Sequence, residues 1–181
     1  TTTETSGPAI LVGQTLNIPE YSGPFSAGTG TNSAVLIGGG NIASGITSVA
    51  EGTLTVSGGD YSHTEGQGTI AYGESAHAEG ASTTALGDYA HAEGASTIAS
   101  ANYSHAEGHA TTASGLRSHA EGHQTTASGG RSHAEGRSTT ASASGSHAEG
   151  YFTTASGLVS HAEGHTNLAS GIASHAEGIS N

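Results

Sequence analysis

One phrase, His-x-Glu-Gly, returns with a strict 14-residue period through most of this chain without losing step. Its histidines are His63, His77, His91, His105, His119, His133, His147, His161 and His175. Its glutamates are Glu65, Glu79, Glu93, Glu107, Glu121, Glu135, Glu149, Glu163 and Glu177. A period this strict marks a stacked-repeat architecture, in which each unit buries its face only against its neighbours. Extended backward, the frame takes in Glu51-Gly52, with Val49 in the His position. It then takes in Gly38, with Val35 and Ile37 in the His and Glu positions. From Gly38 to Gly178 the frame predicts ten coils, unbroken by insertion or deletion.

Each coil divides into two short phrases, Ser-His-Ala-Glu-Gly and Thr-Thr-Ala-Ser-Gly, the second seen at 111–115, 125–129 and 153–157. Glycine closes both, as a tight turn with positive φ requires. No apolar stripe at helical spacing is present, and four-residue runs between turns suit strands. The prediction is an all-β fold, a parallel β-solenoid or β-roll with two strands and two turns per coil. Coils stacked at the strand spacing of about 4.8 Å give a rod roughly 48 Å long.

Alternation along a strand assigns the faces. Ser and Ala of the first phrase share one face, and His and Glu share the other. The Ala ladder runs from Ala50 to Ala176 with Thr64 as its exception; the second strand's runs from Ala43 to Ala169 with Ser57 as its exception. Two ladders of small residues predict the interior of the roll, and such an interior is thin. Further burial through self-association is therefore expected, and outward ladders carry apolar residues for it: Val35, Ile37 and Val49 on the first, Ile42, Val56, Ile70, Ile98 and Leu168 on the second.

The rest of the composition narrows the function. The net charge is -12, with three Arg and no Lys, so nothing here could neutralise a phosphate backbone and no nucleic-acid partner is expected. No run approaches the roughly 20 apolar residues of a membrane span. The absence of Cys leaves the redox compartment open.

Ser-Ala-Val-Leu-Ile-Gly at 33–38, Ser-Val-Ala-Glu-Gly at 48–52 and the later Ser-His-Ala-Glu-Gly runs resemble the head repeats of trimeric autotransporter adhesins. That resemblance covers about residues 33–181. It implies left-handed parallel β-rolls with three chains packed side by side, hence a homotrimer. The family favours Val and Ile where this chain mostly has His and Glu. The segment from Thr5 to Tyr21 is similar to short connector modules of phage tail-fibre proteins, and Leu11, Val12, Leu16 and Ile18 around Gly13-Gln14 predict a small hairpin. Similar arrays also occur in phage proteins that end in a self-cleaving C-terminal chaperone. Solenoid ends normally need caps, so either a further domain has been removed after Asn181 or that end is an arbitrary boundary. The domain expectation is thus a connector with a hairpin over 1–32 and a β-roll of about ten repeats over 33–181.

The nine His-x-Glu pairs invite a metal reading, since imidazole and carboxylate bind zinc and similar ions. Unchanged repetition favours instead a hydrogen-bonded polar seam between chains, each His donating to a Glu of its own or a neighbouring chain. All eighteen of these His and Glu residues, with Val35, Ile37 and Val49, are therefore expected at the subunit interface. No catalytic residue, metal or other cofactor is expected. Glu partners favour protonated His while stacking and burial oppose it, so stability is expected to change where His titrates. His109, His123 and His165 read as turn decoration, and Tyr61, Tyr89 and Tyr103 as packing over a turn.

The expected function is structural: a trimeric fibre or spacer of a phage tail fibre or surface appendage. It would act in the virion or at the cell surface, contact other fibre or baseplate proteins, and support host attachment through a receptor-binding neighbouring domain. The alternatives are an adhesin whose roll binds host glycan or matrix directly, and an ice-binding solenoid prompted by the Thr pairs. No enzyme is expected.

Overall fold

The computed structural model describes residues 10–12, 15–17, 25–36 and 39–180. Their main body is an all-β parallel solenoid whose coils from Val49 onward keep the 14-residue period, with no helix among the described residues. Two sheets run the length of the stack. One carries the His strands and the other the Thr strands, and every coil contributes a strand to each. Identical residues stand opposite one another: His77 pairs with His91, Ala78 with Ala92 and Glu79 with Glu93. The Thr sheet keeps the same step, Thr112 pairing with Thr126 and Ala113 with Ala127. Backbone N–H groups donate to the next coil at ordinary distances, as from His119 to Ser132 at 2.9 Å.

Small side chains set how closely the sheets approach. Ala106, Ala120 and Ala134 of the His sheet and Ala113, Ala127 and Ala141 of the Thr sheet are all fully buried. The first Thr of each pair, such as Thr111 and Thr125, also points inward and is fully buried. Ser132 and Ser146 before the His strand are buried too, and their hydroxyls donate back to Gly129 and Ala143 three residues earlier. Apart from Asn167, the largest fully buried side chains are Thr.

The glycines divide into two roles. Gly108 of the His-x-Glu-Gly phrase has φ of 101°, the conformation expected of a turn glycine. Gly115 of the second phrase does not; a Cβ there would run into the backbone of Gly129 in the next coil. The left-handed turn positions themselves are mostly not glycine. Tyr103, Arg117 and Val159 occupy one such ladder and Ala110, Gln124 and Phe152 the other, with φ between 50° and 60°.

The N-terminal end departs from the expected frame. Ala34 pairs with Val49 and Val35 with Ala50, whereas Val49 pairs with His63 in the ordinary register, so the first step is longer than the later ones by a single residue. Ile42 still pairs with Val56, so the additional residue lies between Ala34 and Ile42. Val35 therefore stands in the register of the interior Ala ladder, and Ala34 in that of the His ladder, which corrects the position read from the sequence. Ile37 lies outside the described residues. Upstream, Phe25–Ala27 runs antiparallel to Ala34–Leu36 and extends the His sheet by a reversed strand. Ile10–Val12 pairs antiparallel with Thr15–Asn17 in a separate two-stranded sheet. No helix among the described residues is long and apolar enough to cross a membrane.

Candidate functional site

Every His strand turns its small second residue inward, Thr64 in the first and Ala in the rest, which leaves His and Glu on the outer face. Parallel in-register pairing then stacks like on like. All nine imidazoles form one column from His63 to His175, with ring centroids 4.7–4.9 Å apart and planes within 9° of parallel. Val49 continues the column at its N-terminal end by pairing with His63. Most of the His and Glu side chains are about one-third exposed.

Each bond in this seam runs diagonally between neighbouring strands, a reach that long side chains achieve. Nε2 of His119 lies 3.1 Å from Glu107 Oε1 in the preceding coil, and His133 lies 3.2 Å from Glu121. The same diagonal approach brings Glu51 to His63, Glu79 to His91, Glu135 to His147, Glu149 to His161 and Glu163 to His175, at 3.1–3.4 Å. Glu93 and His105 are further apart, at 3.7 Å. The seam is not fully satisfied, because Nε2 of His77, His105 and His161 is buried without a hydrogen-bond partner. Beside the seam, Glu149, Glu163 and Glu177 with their following glycines line an open groove.

Charge follows from this packing. Burial lowers the pKa of His77 and of His105, and the imidazoles above and below each lower it further. The nearby carboxylates Glu65 and Glu79, and Glu93 and Glu121, oppose this without reversing it. At Glu121 burial pushes the pKa upward, but the hydrogen bond with His133 and the charges of His119 and His133 bring it below the usual value. Neutral imidazole at His77 and His105 and ionised carboxylate at Glu121 are thus favoured near neutral pH. Triplets such as His77, Glu79 and His91 bring their nitrogen and oxygen atoms within 4.8 Å of one another.

Two further ladders were not resolved by motif reading, although the 14-residue step would have aligned them. Tyr89 stacks on Tyr103 at 5.2 Å, and the Arg117 guanidinium covers Tyr103 at 5.4 Å. On the other turn, His109 stacks on His123, and Arg137 lies over Tyr151, which stacks on His165. The outer rank of the Thr sheet runs Ile42, Val56, Ile70, Thr84, Ile98, Thr112, and ends in Leu168, with Ile42, Ile98 and Leu168 exposed.

No protein-family model matches the chain, and no curated protein matches it either.

Proposed function

We propose that this chain is a spacer segment of a homotrimeric fibre, with three rolls side by side and their His–Glu faces toward a common axis. The observation that carries the reading is the mismatch between inside and outside. The interior is filled almost wholly by Ala, Ser and Thr, while Ile42, Ile98 and Leu168 on the outer Thr face and Leu54 and Leu116 at the turns are exposed on one chain, so the apolar surface left for neighbouring rolls flanks the polar seam rather than lying in it. Apolar burial supplies most of the stability of a fold, and a roll this thin has little of it. The unpartnered imidazole nitrogens of His77, His105 and His161 add a second motive, since a partner chain could supply their missing hydrogen bonds. A straight, uniform ladder suits a shaft. Such a shaft belongs in a phage tail fibre or a surface appendage, holding a receptor-binding neighbour away from its base, with no catalysis of its own.

Direct glycan binding by the roll is the weaker reading. The exposed Tyr89–Tyr103 pair is its best support, but those rings cover one another and Arg117 covers Tyr103, so few aromatic faces remain for a sugar. The test is the native molar mass, by light scattering after size exclusion at neutral pH. A mass three times 17.6 kDa is expected. A stable, fully folded species of 17.6 kDa would overturn the trimer.

A further inference from the structure

Separations along the His–Glu seam match those between two ligands on a single metal ion. Zinc binds imidazole nitrogen and carboxylate oxygen at about 2.0–2.2 Å, so two such ligands at tetrahedral or right-angled positions lie roughly 3–3.5 Å apart. Seven of the eight pairs stand at 3.1–3.4 Å. The His161 nitrogen faces Glu149 at 3.3 Å without hydrogen-bonding to it, so proximity there is not explained by a shared proton. The stacked rings alone do not make such a site. Parallel imidazoles with centroids 4.7–4.9 Å apart keep their nitrogens further apart than two ligands on one ion, which reach roughly 4.2 Å at most. The unit is one histidine and one glutamate from successive coils.

We propose that the seam is a row of two-ligand clips for divalent transition-metal cations such as Zn2+ or Ni2+. Each ion is held by Nε2 of one coil's histidine and a carboxylate oxygen of the preceding coil's glutamate, and water completes the coordination. The geometry of one chain suffices, so the inference does not rest on the trimer. An ion needs imidazole neutral and carboxylate ionised, so uptake is tested at neutral pH. Successive clips share no atom, but ions in neighbouring coils would sit about 4.8 Å apart and repel. Alternate clips fill first, and because the Glu51–His63 clip stands apart from the seven consecutive ones, about five ions are expected for the eight pairs. This departs from the sequence expectation of no metal, and the pair spacing across coils is the reason.

The experiment is equilibrium dialysis of the whole chain against micromolar free ZnCl2 at neutral pH, with zinc counted and histidine nitrogens followed by long-range proton–nitrogen spectra. About five ions per chain are expected from the alternate filling of clips. The Nε2 signals of the stacked histidines should move, with His109, His123 and His165 responding less, and EDTA should reverse the change. A count below one ion per chain, or shifts confined to those three turn histidines, overturns the proposal. Changing Glu107, Glu121 and Glu135 together to Gln keeps a hydrogen-bonding partner for each His while weakening the ligand. Zinc uptake should fall by at least one ion, and an unchanged count would exclude the carboxylates as ligands.

Discussion

Thr111 and Thr153 occupy the same inward position in different coils, yet their hydroxyls fare differently. That of Thr111 is buried without a hydrogen-bond partner, whereas that of Thr153 donates to the Glu149 carbonyl at 3.0 Å. A buried polar group without a partner costs stability, and a methyl of the same shape does not. Thr111→Val should therefore stabilise the roll by about 1 kcal/mol and Thr153→Val should destabilise it by about as much. Opposite shifts in melting temperature of about 2–4 °C are expected for a chain of this size; shifts of the same sign would refute the distinction. The sequence marked both residues as strand Thr, and alternation tells which member of each pair points inward. It does not reveal which hydroxyl finds a carbonyl.

The unit at the next scale is the ladder, and its dependence on acid follows from what each rung contacts. His77 faces His63 and His91 in the column with Glu65 and Glu79 beside it, and His105 faces His91 and His119 with Glu93 and Glu121. Both have folded-state pKa values below the usual 6.5. Below that value the unfolded chain binds more protons, so stability is lost as pH falls through the folded pKa. Glu121, lowered from 4.5, acts with the same sign further into acid. Melts in metal-free buffer should shift to lower temperature as pH drops from neutral toward 5, the region of histidine titration. Superimposable curves would remove the argument. Much of this ladder was legible, because strand alternation fixes which residues share a face. The diagonal link from His133 to Glu121 was not, since alternation says nothing about how side chains lean between coils. Nor were the left-handed turns, because Tyr103, Arg117 and Val159 are poor advertisements for positive φ. The longer first step was hidden by ambiguity. Ala34 and Val35 both fit a strand, and Gly38, Gly39 and Gly40 offer three candidates for one repeat glycine.

Across the whole molecule, stability in a stack is a sum of units and nearest-neighbour contacts. Removing residues 105–118 joins Ser104 to His119 and restores the phrase, so the chain should fold into a rod shorter by about 4.8 Å. Removing Ala110 alone breaks the frame from that turn onward and should cost far more, because a one-residue slip reverses the faces of a strand. Small-angle scattering and melting compare the two; equal damage from both deletions would contradict a modular stack. The near-identity of the coils also poses a problem during folding. A strand displaced by one entire coil meets almost the same neighbours as in its native place, so misaligned states are nearly degenerate with the native one. The longer first step, from Ala34 to Val49, lifts that degeneracy. No later coil can take the place of this first one without a mismatch, and that early irregularity supplies a phase reference from which every later coil is counted.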